Sequence, residues 1–313
     1  MKLLVTGGAG FIGSHLVEKL IGEGHEVSIL DDFNDFYDPS LKRKNLEKVK
    51  KDIQVFESDI RNQADVLRVV KDSGCEGIFH LAARAGVRPS ILNPQLYLDT
   101  NVTGTLNLLE AAKKNQVSQF IFGSSSSVYG TIKTVPFSEN MCLNQTISPY
   151  AASKLAGEQL CSNFSHLYGI RCVSLRLFTV YGPRQRPDLA IHSFARSILE
   201  GKPIKQFGDG STMRDYTYVD DIVAGLIKTL EYKGPIYDVF NLGESQTTTL
   251  SQLISLLEEA LGRPAKIERL PDQLGDVPVT YADISKARLL ISYEPKFLIK
   301  EGICKFVEWL LAN

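Results

Sequence analysis

A chain of 313 residues, 43% hydrophobic and 23% charged, has the composition of a folded globular protein and room for one large α/β unit or two fused domains. Its formal net charge of −1 excludes the broad electropositive surface that binding to nucleic acid or an anionic membrane requires, so any cationic patch must be local. The apolar run before Gly7 is too short for a secretory signal, and no segment approaches the ~20 apolar residues of a membrane span; the expectation is a cytoplasmic protein with no nucleic-acid or membrane partner.

The first half alternates short β-rich runs with helical patterns, which predicts parallel βαβ units with helices on both faces of a sheet. In chain order, strands are predicted at Leu3 to Thr6, Glu26 to Leu30, Ile53 to Glu57, Gly77 to Leu81, Gln119 to Gly123 and Cys172 to Leu177. Helices are predicted near 11 to 23, 62 to 72, 95 to 115 and 149 to 168. The charge-rich stretch from Lys42 to Lys51 reads as a solvated helical face. From about Arg184 the pattern loosens around Gly/Pro punctuation at 201 to 203, 233 to 235 and 262 to 264. A helical pattern at 219 to 232 then leads into a strand-like run, Tyr237 to Asn241, expected to rejoin the large sheet. The organisation predicted is a Rossmann-type doubly wound parallel sheet over 1–180, with segments near 219–245 returning to it, and a smaller α/β substrate-binding domain over 181–313. The five cysteines, Cys75, Cys142, Cys161, Cys172 and Cys304, lack the paired spacing of zinc or redox sites and are expected to be small buried hydrophobes.

Three features carry chemistry. Gly8, Gly10 and Gly13 form a GxGxxG pattern where the first strand meets the first helix. Such glycines give a tight turn, close backbone approach to a pyrophosphate and close helix packing, and the helix N-terminus offers free amides to phosphate. The next strand ends in Asp31 and Asp32, eighteen residues after Gly13, where carboxylates accept ribose hydroxyls and repel a 2′-phosphate. That favours NAD over NADP; Asp59, ending another strand, is a candidate adenine contact. Finally, Ser148 and Pro149 suit an N-cap and first helical turn, so Tyr150 and Lys154 fall on one helical face. The ammonium is expected to favour the phenolate and make Tyr150 a general base.

These residues, with the HisLeuAlaAla run at 80 to 83, SerValTyrGly at 127 to 130, ArgLeuPheThrValTyrGlyPro at 176 to 183 and the segment 208 to 222, resemble the extended short-chain dehydrogenases that act on nucleotide sugars. The resemblance implies NAD as cofactor, a UDP-sugar as substrate, and Tyr150, Lys154 and Ser125 as catalytic residues. It implies a cofactor site drawn from Gly7, Gly8, Gly10, Phe11, Ile12, Gly13, Asp31, Asp32, Asn34, Asp59, Ile60, Leu81, Ala82, Ala83, Arg84, Asn101, Tyr150 and Lys154. Many members dimerise through helices matching 95 to 115 and 149 to 168, so a homodimer is expected.

Within that family, dehydratases carry an Asp and Glu pair before ValTyrGly, and UDP-glucuronate decarboxylases a glutamate. Here the place holds Ser125, Ser126 and Ser127, which leaves oxidation and re-reduction at one carbon, an epimerisation. The segments 31 to 39, 81 to 90 and 178 to 188 are most similar to UDP-glucuronate 4-epimerases, and Thr179 stands where UDP-glucose and UDP-N-acetylglucosamine epimerases usually carry asparagine. The resemblance then places Ser125 to Ser127, Phe178 and Thr179 at the sugar and its carboxylate, with Arg184 or Arg186 beside them. Arg214 or Arg88 would meet the diphosphate, and Phe207, Gln273 and Asp276 the nucleotide. Gln273 departs from an arginine common in the family. Competing readings are a 4-epimerase of neutral UDP-hexoses, a decarboxylase, and a catalytically inert nucleotide-binding scaffold.

Overall fold

The computed structural model describes residues 1–271 and 276–313. The strands predicted in the first half form as β1 (Lys2–Thr6), β2 (Glu26–Asp31), β3 (Ile53–Glu57), β4 (Gly77–His80), β5 (Gln119–Ser125) and β6 (Arg171–Leu177). Among the described residues, these six and the strand Tyr237–Leu242 make one sheet, every neighbouring pair parallel. Its order is Tyr237–Leu242, β6, β5, β4, β1, β2, β3, so the run of strands reverses direction between β1 and β4. In open α/β sheets the crevice at the carboxyl ends beside such a reversal is where ligands bind.

Strict alternation along the strands builds a core on each face. Leu3, Val5, Val27, Ile29, Ile121, Val173 and Leu175 enter one apolar cluster, while Leu4, Leu30, Phe120, Phe122 and Cys172 enter the other. Each such side chain, fully buried, stabilises the fold by about 1.5–3 kcal/mol in transfer terms. The helices that cover these faces start and stop as the local chemistry dictates. Helix Pro149–Tyr168 begins where the Ser148 hydroxyl accepts the Ala151 amide at 3.1 Å, and it ends at Gly169 in the left-handed region, φ 71°. Helix Gln63–Ser73 is capped in the same way by Asn62. The long helix expected over 95 to 115 is interrupted: Pro94–Leu98 and Gly104–Lys114 are joined by one π-helical turn, Asp99–Thr103.

Beyond β6 the elements are short. Thr179–Tyr181 pairs with Tyr216–Tyr218, Met213–Arg214 with Thr248–Thr249, and Pro203–Phe207 with Lys266–Leu270. Two expectations need correction. The stretch from Lys42 is not a solvated face throughout: Lys42 is 4% exposed, and Leu46 and Val49 are buried with it, because a following turn folds them onto the sheet. Among the cysteines, Cys75, Cys161 and Cys172 are buried, but Cys142 and Cys304 are exposed. No helix among the described residues is long and apolar enough to cross a membrane.

Candidate active site

The carboxyl ends of β1, β2, β4, β5 and β6 open into a cleft of about 490 Å³, within the range of small-molecule sites. Its floor is the glycine turn. Gly7 has φ +71° and its amide donates to the Leu30 carbonyl at 2.8 Å, tying the ends of β1 and β2. A methyl group on Gly13 would stand 2.1 Å from the Gly7 carbonyl oxygen, so only glycine lets the first helix, Phe11–Gly22, pack this closely. Gly10 differs. It caps that helix in an extended conformation open to any residue, and a methyl there would approach only the Gly7 oxygen, at 3.2 Å. What its missing side chain leaves free is the space over the helix N-terminus, where the first-turn amides and the positive end of the helix dipole face the cleft. That cradle fits a dinucleotide pyrophosphate. Gly8 instead packs on Ile29, its added methyl meeting that side chain at 2.6 Å, and lies below the cleft.

At the carboxyl end of β2 Asp31, Asp32, Asn34, Asp59 and Ile60 line the wall. Each oxygen of Asp31 already accepts a backbone amide, from Ala9 and from Phe33, both at 3.0 Å. Burial raises its pKa while those amides and Lys42 oppose the rise. Among the described residues Asp32 is bonded to Asn34 alone, by backbone and side chain, and has lone pairs to spare for a diol. Asp59 is held by Arg61. Lys42 donates to the Asn34 carbonyl at 2.9 Å and sits over the Tyr37 ring. Leu81, Ala82, Ala83 and Arg84 follow along β4's exit. Asn101 does not line the cleft as expected: it is 2% exposed and its amide grips both backbone groups of Arg84 and the Ser153 hydroxyl. Its neighbour on the π turn, Thr100, does face the cleft and has a buried hydroxyl without a partner among the described residues. Sequence reasoning missed Thr100, because a π turn rotates side chains off the 3.6-residue period on which facing is judged.

The reactive end gathers Tyr150, Lys154, Ser125, Ser126, Ser127, Phe178, Thr179 and Arg186. Tyr150 packs edge-on against Tyr97, ring centroids 6.2 Å apart. Burial raises the phenol's pKa, and the groups that pull it down are the Ser125 hydroxyl and the Arg186 guanidinium. This corrects the expected role of Lys154. Its ammonium donates to the Gly123 carbonyl at 2.6 Å, and burial lowers its own pKa to about 8, with Cys161 and Glu158 opposing the fall. Its charge also helps hold the buried His80 at about 3, after desolvation; the neutral ring bridges Thr6 and Thr105 at 2.8 Å each. Ser125 to Ser127 form a single tight turn in which Ser125 accepts both the amide and hydroxyl of Ser127.

The two arginine candidates separate cleanly. Arg186 enters the cleft, bonded through two nitrogens to Asp188 and stacked over Phe36 at 4.9 Å. Arg184, at φ 62°, turns away to Glu18 and Ser14 of the first helix, so it is no part of the site. Arg214 and Asp276 line the outer wall. Arg88 and Phe207 lie at the mouth, where Arg88 bonds Asp276 at 2.9 Å and rests over the Phe207 ring. Gln273 lies outside the described residues. The lining holds five cations, Lys42, Arg84, Lys154, Arg186 and Arg214, against four carboxylates.

Behind Arg214, Asp215 is wholly buried and accepts the amides of Glu244, Ser245 and Ala282 and the Thr217 hydroxyl. Glu244 beside it has one oxygen without a partner among the described residues. Burial, with Asp221 and Asp215 nearby and Arg288 opposing, raises it from 4.5 to about 8. A carboxyl raised on folding binds its proton more tightly in the native state, so the stability it contributes is full below 4.5 and is lost as pH climbs through about 8. Glu244→Gln, neutral at every pH, is therefore expected to raise the melting temperature by about 3 °C at pH 8 and not at all at pH 4.5. Equal shifts at both pH values, read by calorimetry, would refute this.

The family model for the NAD dependent epimerase/dehydratase family matches residues 3–243. The chain is 44% identical to UDP-glucuronate 4-epimerase of Thermodesulfobacterium geofontis over 99% of this chain and 96% of that one. It is 41% identical to UDP-glucuronate 4-epimerase 4 of Arabidopsis thaliana, covering all of this chain and 76% of the relative. Among solved structures, UDP-glucuronic acid 4-epimerase from Bacillus cereus in complex with UDP-glucuronic acid and NAD superposes with a TM-score of 0.94 at 38% identity, over 100% of this chain and 99% of that one. UDP-glucose 4-epimerase from Thermotoga maritima with UDP-glucose does so with a TM-score of 0.92 at 36% identity, over 100% and 99%. Together with the sheet order, the glycine cradle and the Tyr150–Lys154 helix, these matches make the chain a member of the NAD dependent epimerase/dehydratase family.

Proposed function

We propose that this enzyme inverts C4 of UDP-glucuronate, interconverting it with UDP-galacturonate, with NAD as its resident cofactor. The observation that carries the reading is the lining around Tyr150. Three serines, Thr179 and the Arg186 guanidinium line the cleft that Tyr150 enters, Ser125 and Arg186 close enough to act on the phenol, and the turn from Ser125 to Ser127 supplies no carboxylic acid to drive elimination or decarboxylation. Hydroxyl donors and a guanidinium satisfy a sugar carboxylate without protonating it. The relatives named for UDP-glucuronate support the same substrate.

NAD would be held by the Gly7 to Gly13 cradle, Asp32 and Lys154, and when bound would supply the two-electron chemistry at C4 and positive charge beside the phenol. Tyr150 takes the O4 proton, Ser125 bridging phenol and sugar hydroxyl. The 4-keto sugar turns within the cleft, tethered by its diphosphate to Arg214. Tyr150 then gives the proton back to O4 of the inverted sugar. The intermediate is a β-keto acid, which loses carbon dioxide when its carboxylate bond aligns with the ketone π system. Ser126, Ser127 and Thr179 hold the carboxylate out of that alignment.

The large sheet, with Tyr237–Leu242, is the cofactor-binding part, and most of 181–313 the sugar-binding part. Exposed Leu98, Leu106 and Leu167 support a homodimer through the helices that carry them. Purified protein incubated with UDP-glucuronate is expected to form UDP-galacturonate, with pentose product at background, and, incubated separately with UDP-glucose, to form little product, as read by NMR. Turnover of UDP-glucose without UDP-glucuronate would sink the assignment. Replacing Ser126, Ser127 and Thr179 together by alanine is expected to raise the UDP-pentose fraction at least about tenfold, the weight of one or two lost hydrogen bonds. A fraction unchanged from wild type would remove the carboxylate-holding role.

A further inference from the structure

One turn beyond Lys154 on the same helix, Glu158 is buried to 2% exposure. Its carboxylate accepts the Ser124 hydroxyl at 2.6 Å and two nitrogens of Arg176, at 3.0 and 2.8 Å. Arg176, on β6, extends its third nitrogen to the Tyr129 hydroxyl at 3.1 Å. That hydroxyl in turn donates to Asn241 on the neighbouring strand at 2.6 Å. Lys154 meanwhile grips the Gly123 carbonyl. Consecutive residues of β5, Gly123 and Ser124, are thus clamped by helix residues four apart, and the next residue along the strand is Ser125. The far end of the same turn, Tyr129, is tied to the same carboxylate through Arg176.

We propose that Glu158 is a positioning residue for the reaction: from the helix that carries Tyr150 and Lys154 it fixes, through Ser124 and Arg176, where the Ser125–Ser127 turn stands relative to the phenol. A bidentate guanidinium pair has a fixed planar geometry, so the carboxylate sets an angle as well as a distance between helix, β5 and β6. Removing the clamp frees the turn to drift, and a displacement of about 1 Å at a reacting group costs about a hundredfold in rate. The loss falls on kcat, because the nucleotide and cofactor contacts lie elsewhere in the cleft. This inference rests on the epimerase reading above for its rate effect, and on geometry alone for the clamp.

Two variants of the holoenzyme test it. Glu158→Gln keeps the shape but removes the charge facing Arg176. Ser124→Ala leaves the buried ion pair intact and releases only β5, so it guards against an unfolded first variant. Expected are a kcat lower by about tenfold in Ser124→Ala and about a hundredfold in Glu158→Gln, KM for UDP-glucuronate within about twofold, bound NAD retained, and faster amide hydrogen exchange at 124–130 in both. Wild-type kcat in a folded Ser124→Ala, or kcat, KM and NAD content failing together, would overturn the positioning role. Unchanged exchange at 124–130 in both variants would overturn the clamp itself. A wild-type enzyme inert toward UDP-glucuronate would count against the substrate assignment, while the exchange measurement would still decide the clamp.

Discussion

Tyr150→Phe is expected to lower kcat for 4-epimerisation by about three orders of magnitude, in line with the range for a lost general acid–base, while NAD and UDP-glucuronate still bind. The substitution removes one oxygen. Phenylalanine keeps the ring and its edge-on contact with Tyr97, so packing and the serine turn should survive. Its effect is large because no other group near the turn can take the proton: the serines are far too weakly acidic, and Lys154 is directed to Gly123. Since burial raises the phenol above its ordinary pKa, its ionised fraction at neutral pH is small and grows tenfold per unit. The wild-type rate should therefore rise with pH across the neutral range. Single-turnover assays that follow the reduced cofactor check both points. A variant within tenfold of wild type would show that another group does the proton chemistry.

Gly10→Val is expected to yield a folded protein that has lost NAD and, with it, all turnover. The backbone at Gly10 suits any residue and the nearest obstacle to a side chain is one carbonyl oxygen, so the cost to folding is about the helix-entry loss of a poor cap, under 2 kcal/mol. The added branches instead fill the space over the helix N-terminus and cover the amides that a pyrophosphate needs. Affinity should drop at least about a hundredfold, the value of two or more charge-assisted hydrogen bonds at 1.5–3 kcal/mol each. Gly13→Val is the control of opposite kind: its methyls collide with the Gly7 backbone, and the fold itself should fail. Calorimetric titration with NAD, beside circular dichroism, separates the two. Gly10→Val binding NAD like wild type would mean the cofactor lies elsewhere.

Much of this architecture was legible in the residue string because its determinants are local. Alternating apolar runs of four to seven residues set the strands, and Ser148 with Pro149 fixed the start of the Tyr150 helix to the residue. The Lys154 and Arg184 expectations failed for a common reason. Spacing says which residues share a face, but the direction of a long side chain depends on partners far along the chain, here Gly123, thirty-one residues away, and Glu18, 166 residues away. Asn101 was misassigned through the π turn, which hands the cleft to Thr100. Lys42 looked solvated in a run of charges, yet its ammonium finds the half-buried Asn34 carbonyl, a pairing that the loop after β2 creates. The Glu158–Arg176 pair drew no notice because each residue, taken singly, reads as ordinary helix or strand surface.

The return of Tyr237–Leu242 to lie beside β6 has a consequence for how this protein is made. Phe240 and Leu242 are wholly buried there, so during synthesis β6 must wait some sixty residues for its outer neighbour to leave the ribosome. Until then it presents a bare row of backbone groups and half-covered aliphatics, the kind of rim on which nascent chains stick to one another. A gene cut after the sixth strand would leave that rim permanently open, and its product should aggregate rather than survive as an independent nucleotide-binding fragment.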